Sequence, residues 1–424
     1  MANCRRTARR VLAAFAVLVQ HSVADESPTS AVRNLTLGNA YALAEERHEA
    51  LPIFEAEGRA AEARYREAIG DRWPEVRAAG AALWRGTSDG DQLGDDQYRA
   101  GLGASWTIFN GFRTLRDAEA RRTEGEAFRF DLERERQLLY QDVADSFYQV
   151  LSFESELASL AKQEEALRER ADDLERRVEL GRSRKAELLT AQSQIANVRV
   201  DAEQLRGFRD AARELMAFLT GLPPGDFELV DTMPMPLVTD VELYLAQVGE
   251  RPDLTAASTR VKAAQLDVES AAAERKPEVS ADANVYALSD PGEPGDWDVA
   301  LRAEIPIFDK EVRVSRVAER KELVRISELN LAALHRTAGR DVRLAYRAVL
   351  SALGQWAALQ DAIRVTTENH DTQQKDYELG RASNLDVLQA LVQLYDLRRR
   401  EAQLAMLARA AMVRLHVAAG GAVP

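Results

Sequence analysis

The chain has 424 residues, of which 29% are charged and only 6% aromatic, a composition that suits long helices better than a compact α/β enzyme. Its formal charge of −13 argues against nucleic acid as a partner, and its single cysteine, Cys4, leaves no disulfide framework. His21, His48, His335, His370 and His416 show no metal-ligand spacing, and a phosphate-binding glycine loop and a nucleophile elbow are both missing, so no enzyme, cofactor or metal centre is expected.

The first element is a leader over residues 1–24. Arg5, Arg6, Arg9 and Arg10 precede the apolar run from Val11 to Val19, and Ser22-Val23-Ala24 supplies the small residues that signal peptidase requires. Nine apolar residues span only about half of the ~20 that a membrane helix needs. Cleavage before Asp25 is expected, leaving a charge near −17 on the mature chain. Cys4 lies ahead of the apolar run, where it cannot anchor a lipoprotein. No later segment approaches 18 consecutive apolar residues, so a membrane-inserted mature chain must insert as a barrel.

Downstream the pattern predicts a helix over 36–70 and a strand over 76–85, then a turn through Gly86-Thr87-Ser88-Asp89-Gly90-Asp91. A strand over 98–108 alternates Tyr98, Ala100, Leu102, Ala104, Trp106 and Ile108 with Gly101, Gly103, Ser105 and Thr107. A helix over 112–180 would be roughly 100 Å long at about 1.5 Å per residue. Phe153, Leu160, Leu167 and Leu174 recur along it every seven residues as a coiled-coil seam. Its charged runs, Glu164-Glu165 with Arg168 and Glu169-Arg170 with Asp172-Asp173, read as solvated faces with i,i+4 pairs. A helix over 183–219 completes this half, and Pro223, Pro224, Pro234 and Pro236 mark a linker.

The second half repeats the first. Ile108-Phe109 recurs as Ile307-Phe308, Asp142-Val143 as Asp341-Val342, Glu179-Leu180-Gly181-Arg182 as Glu378-Leu379-Gly380-Arg381, and Gly221 as Gly420, each pair 199 positions apart. Pro74-Glu75-Val76 matches Pro277-Glu278-Val279 at a separation of 203, so the length change falls at a loop tip between the first two strands. The copy predicts a helix over 240–276 and strands over 279–287 and 297–307. A second long helix follows, its seam running through Val342, Val349, Trp356 and Ile363, and then a helix over 382–418. The domains are thus a signal peptide 1–24, a first repeat 25–221 with a β-hairpin 74–109, a linker 222–239, and a second repeat 240–421 with a β-hairpin 277–308.

Each strand has an apolar and a polar face and is long enough to cross the hydrocarbon layer when tilted. Trp84, Trp106 and Trp297 fall on the apolar face, where membrane barrels carry aromatic girdles, while Asp282, Asn284, Asp298, Arg302 and Glu304 fall on the lumen face. Four strands cannot close a barrel, so the chain is expected to oligomerise. A dimer would give eight strands and a filled interior, whereas a trimer gives twelve and an open channel.

The order helix, hairpin, long helix, tip, helix, written twice after a leader, resembles the TolC-type outer-membrane efflux proteins (outer membrane factors) over essentially the whole mature chain. The matching motifs are Ile108-Phe109-Asn110-Gly111, Pro306-Ile307-Phe308-Asp309, Leu180-Gly181-Arg182-Ser183 with Glu187-Leu188-Leu189, and Leu379-Gly380-Arg381 with Asp386-Val387-Leu388. The resemblance implies a mainly α fold with a membrane β-barrel portion. It further implies a homotrimer whose twelve-stranded barrel sits in outer-membrane lipid and continues as a twelve-helix periplasmic α-barrel. An inner-membrane pump would deliver substrate through a periplasmic adaptor, a membrane fusion protein. Adaptor docking is implied at the tips Leu180, Gly181, Arg182, Leu379, Gly380 and Arg381.

A periplasmic gate is implied at Tyr377, Asp386 and Glu187, with the Tyr377 hydroxyl donating to the Glu187 carboxylate and three Asp386 side chains ringing the entrance. Ala382 and Gln389 depart from the family's fullest pattern, which implies a weaker lock. The chain ends at Pro424, soon after its last helix, where some relatives extend further. Two alternatives remain open on the sequence: the exit duct of a type I protein secretion system, and a soluble periplasmic coiled-coil scaffold or adaptor.

Overall fold

The computed structural model of the chain describes residues 33–83, 97–288 and 297–423. The leader 1–24, Trp84 and the two hairpin turns lie outside the described residues. The first half runs β1 (Arg33–Leu35), α1 (Leu37–Arg47), α2 (Ala50–Gly70), β2 (Glu75–Leu83), β3 (Gln97–Phe109), α3 (Arg113–Glu179) and α4 (Lys185–Thr220). The second runs β4 (Phe227–Leu229), α5 (Val241–Gln247), α6 (Pro252–Ala273), β5 (Glu278–Leu288), β6 (Trp297–Glu304), α7 (Val312–Glu378) and α8 (Asn384–Ala419).

Both long helices have 67 residues, or roughly 100 Å. α2 and α4 pack in succession against α3, and α6 and α8 do the same along α7. The repeats also interlock, because α6 and α8 pack against α3 as well. In the first seam Leu160, Leu167 and Leu174 are buried with Ile195, Val198 and Leu205 of α4 and Leu388 and Leu391 of α8. Each such leucine contributes about 1.5–3 kcal/mol of apolar burial.

Four expectations need correction. The helices expected over 36–70 and 240–276 are each broken. His48 and Glu49 separate α1 from α2, with the Ala50 N–H bonded to His48 Nδ1 at 3.3 Å. A 3₁₀ turn, Val248–Glu250, precedes Pro252 at the start of α6, where a ring without an N–H can begin a helix but not continue one. The last strand stops at Glu304 rather than at Ile307, since Pro306 has no N–H to give the ladder. The second seam shifts: Val342 and Val349 are buried, but Trp356 and Ile363 are half-exposed, and Ala352, Leu359 and Thr366 take the buried positions. The linker also holds more order than its prolines suggested. β4 pairs in parallel with β1, and Arg409 binds Asp231 at 2.9 Å and the Met233 carbonyl at 2.9 Å.

The hairpins join into one antiparallel sheet in the order β2-β3-β5-β6. Its central pair, β3 with β5, links the two repeats. β2 and β6 are the sheet's edges among the described residues.

The turn from strand to long helix needs two consecutive left-handed residues in each copy. In the first these are Gly111 at φ +68° and Phe112 at φ +70°, and in the second Lys310 at φ +53° and Glu311 at φ +67°. A Cβ on Gly111 would meet Lys276 Cβ at 2.6 Å and the Ala273 carbonyl at 2.9 Å, so that corner admits only glycine.

Candidate functional site: a two-faced sheet and two helical tips

Strand register decides which side chains share a face, because directly opposed residues point the same way. Ala104 stands opposite both Val76 and Ala283, Trp106 opposite Ala281, and Leu102 opposite Ala78 and Val285. Trp297 stands opposite Val285, Val299 opposite Ala283 and Leu301 opposite Ala281. The result is one apolar face across all four strands. Val76, Leu301 and Trp297 on it are each about 70% exposed in the single chain. So broad an apolar surface is not tolerated in water and fits hydrocarbon.

The other face carries Ser105, Asp282, Asn284, Asp298, Arg302 and Glu304, so the five expected lumen residues fall together. Four of them, Asp282, Asn284, Asp298 and Arg302, pair with one another. Asp298 accepts from Asn284 Nδ2 at 3.0 Å and from the Tyr286 hydroxyl at 2.7 Å, and Arg302 lies 3.5 Å from Asp282.

At the opposite ends of α3 and α7 lie the tips. Leu180 caps α3, Gly181 adopts φ +67°, and the Gly181 and Arg182 N–H groups return to the Val178 and Arg177 carbonyls at 3.0 and 2.7 Å. Leu379, Gly380 at φ +72° and Arg381 repeat this with Tyr377 and Asp376. Both are Schellman closures, in which a left-handed glycine satisfies the last free carbonyls. Nothing lies within 4 Å of a Cβ built on either glycine, so backbone conformation alone selects glycine there. Leu180 and Leu379 stand out in solvent beside them.

The second helix of each tip starts differently. In α8 Ser383 is the N-cap of a full capping box with Asp386, whose Oδ2 accepts from the Ser383 N–H at 2.8 Å and hydroxyl at 2.6 Å. The Ser383 hydroxyl, with its backbone N–H, holds the Asp386 carboxyl below the usual range. Asp386 remains exposed.

In α4, Glu187 takes the Ser183 hydroxyl at 2.7 Å and Arg184 Nε at 3.1 Å. The implied bond from the Tyr377 hydroxyl to Glu187 does not form in this structure: the two bonds that Glu187 accepts come from neighbours three and four residues away. Tyr377 presents its ring, not its hydroxyl, to the first repeat. The Arg170 guanidinium lies 4.0 Å above that ring and Arg177 4.9 Å from it.

Arg170, expected on a solvated face, also needs correction. It is buried, with only 7% exposed, where α3 meets the end of α7 and the start of α8. Its Nε donates to Asn384 Oδ1 at 2.8 Å, its Nη1 to Gln374 Oε1 at 3.4 Å, and its Nη2 is buried without a partner. Burial pushes its pKa down. Neighbouring charges on the helix do behave as expected, with Arg168 bound to Glu164 at 2.6 Å. Only a third helix distinguishes the two arginines, and nothing in the local sequence announces it.

The profile of the outer membrane efflux protein family matches residues 40–222 and 245–421. The cation efflux system protein CusC of Escherichia coli O157:H7 is 24% identical over 390 residues, spanning 85% of this chain and 80% of CusC. A crystal structure of CusC superposes with a TM-score of 0.81 at 22% identity, covering 91% of this chain and 92% of that one. VceC of Vibrio cholerae gives 0.78 at 17% identity, with coverages of 91% and 96%. With the family profile spanning most of both halves, on a fold that pairs a two-faced sheet with long helices, the chain belongs to the outer membrane efflux protein family.

Proposed function

We propose that three copies of the chain form a continuous exit duct, a twelve-stranded barrel above a twelve-helix tunnel, which passively conducts small solutes or ions handed over by an inner-membrane pump and a periplasmic adaptor. The observation that carries this reading is the sheet: one face is apolar, the other polar, and β2 and β6 stand at its edges. In lipid an unpaired edge leaves backbone groups unsatisfied, so the strands must close with those of other copies. Efflux is favoured over protein secretion because the matched relatives are named as cation efflux proteins.

The tips serve as adaptor contacts in this reading, with Leu180 and Leu379 offering exposed apolar side chains beside Arg182 and Arg381. Tyr377 and Asp386 line the entrance, and the exposed Asp386 of three copies forms an acidic ring. Glu187 braces the first-repeat tip through Ser183.

Native mass measurement and planar-bilayer recording of detergent-purified protein test the proposal together. A trimer that conducts is expected, with weaker block by multivalent cations in Asp386→Ala. Monomers or dimers, or trimers that insert without conducting, would remove the duct. Gly181→Pro and Gly380→Pro should still assemble yet lose adaptor-dependent resistance, and full transport in both would remove tip docking.

A further inference from the structure

A recess of about 620 Å³ lies where α3, α7 and α8 meet, a volume within the range of small-molecule sites. Asp145, Ser152 and Glu156 of α3 form one wall, Arg400, Leu407 and Arg414 of α8 the other, and Gln355 of α7 stands beside them. Arg409, two residues beyond Leu407 and so nearly opposite it on the helix, holds the linker at Asp231 and the Met233 carbonyl. The recess therefore opens on the side of α8 that the linker does not cross. In the duct reading, on which this inference rests, that side faces the tunnel.

The two carboxylates of the recess are treated differently. Asp145 is answered by Arg414, whose Nε lies 2.8 and 2.9 Å from its two oxygens. Glu156 is only 3% exposed and accepts from Ser152 Oγ at 3.2 Å and Gln403 Nε2 at 2.7 Å, yet no cation among the described residues forms an ion pair with it. Burial pushes its carboxyl up, and Arg399 counters this only through space. Beside it Phe153, Leu404 and the half-exposed Leu407 give the recess an apolar lining. Arg400 is exposed, so water screens its charge, whereas the charge of Glu156 acts where the dielectric is low.

Helix packing does not require a carboxylate here. The residues 199 positions after Asp145 and Glu156 are Leu344 and Gln355, whereas Leu404 and Leu407 have apolar counterparts in Leu205 and Phe208. The second copy thus kept the apolar wall and has no acid at either place.

We propose that this recess is a binding site in the tunnel wall for a lipophilic organic cation, its charged centre against Glu156 and its apolar body along Phe153, Leu404 and Leu407. The ligand supplies the counter-ion that the fold withholds from a buried carboxylate. Arg400 opposes the bound charge from the exposed edge, so the hold is weak enough for a solute in transit to leave.

The test is calorimetric titration of detergent-purified trimers with tetraphenylphosphonium, with protein-free micelles as the blank. Tetraphenylborate, which carries the same four phenyl groups and the opposite charge, is the control. Saturable binding of the cation, one per protomer, is expected, with the anion at least about ten-fold weaker. Glu156→Gln, which keeps the side chain's size and places here the residue found in the other copy, should weaken cation binding by about ten-fold or more. Arg400→Gln should tighten it by about two-fold, because a like charge is removed.

No saturable cation binding to wild type, equal binding in Glu156→Gln, or equal affinity for tetraphenylborate would each overturn the proposal. Should Glu156→Gln fail to assemble by native mass, Leu407→Arg at an exposed position decides, since a cation placed in the recess should abolish binding. In planar bilayers tetraphenylphosphonium should reduce the current of wild-type trimers and do so less in Glu156→Gln, and binding without such block would overturn the placement in the tunnel wall. Trimers that carry no current at all would instead remove the duct, an outcome on which the titration does not depend.

Discussion

The two long helices are copies of one another, equal in length and related position by position at a separation of 199 residues, yet they occupy different environments. α3 buries twenty of its residues within the chain and α7 six. α3 is enclosed by α2, α4, α6 and α8, whereas α7 packs chiefly on α6 and α8 and leaves Leu323, Ile326, Leu329, Leu344, Leu350 and Val365 exposed. Duplication therefore copied the seam but not its surroundings. One copy became the interior of the protomer, and the other kept an apolar flank that a further copy of the chain can cover. The same contrast appears at the tips, where a buried Arg170 in α3 corresponds to Asn369 in α7.

The widest expected difference lies in the seam. Leu167 is fully buried and its counterpart is Thr366, so Leu167→Ala should lower protomer stability by about 2–5 kcal/mol, while Thr366→Ala should cost well under half of that. Thermal or denaturant unfolding of the two variants checks this, and equal losses would break the contrast between the helices.

Next in size is the open flank. Leu350→Glu should leave the fold intact but weaken association by about ten-fold, or roughly 1.4 kcal/mol, read as the monomer fraction in native mass measurement. Undiminished association would mean that this flank of α7 faces solvent or the lumen.

The strand-to-helix corners give a smaller effect of opposite sign. Lys310 holds φ +53° where the first copy has Gly111, so Lys310→Gly should raise stability by about 1 kcal/mol. Gly111→Ala should lose at least as much, since its Cβ would strike backbone and Lys276. A destabilised Lys310→Gly would show that the lysine side chain outweighs the backbone strain.

The smallest concerns pH. Glu156 of α3 is buried and its counterpart in α7 is exposed Gln355. Burial raises the Glu156 carboxyl above 4.5, partly offset by bonds from Gln403 at 2.7 Å and Ser152 at 3.2 Å. The folded chain then keeps this proton to higher pH than the unfolded chain, so stability falls as pH rises from 4.5 through the raised value. Glu156→Gln should remove that fall and be the more stable chain at pH 7, seen as a flatter dependence of the unfolding midpoint on pH. An unchanged pH profile would place the titration elsewhere.

The sequence alone determined the duplication, the alternation that puts Asp282, Asn284, Asp298, Arg302 and Glu304 on one strand face, and the glycine corners at 181 and 380. Each is written in residues close along the chain: a period of two, a period of seven, or a left-handed glycine after a helix. Tertiary structure decided what depends on distant partners. The pairing of β3 with β5 across the repeats, the parallel pair β1–β4 inside a proline-rich linker, and the partition of burial between α3 and α7 all join segments far apart in sequence.

Arg170 makes the distinction most sharply. Beside Arg168 in a charged run it is indistinguishable by local pattern, because i,i+4 spacing reports neighbours on the same helix only. Its burial is set by Tyr377 and Asn384, more than two hundred residues away, and a periodicity carries no information about which helix will come to lie against it.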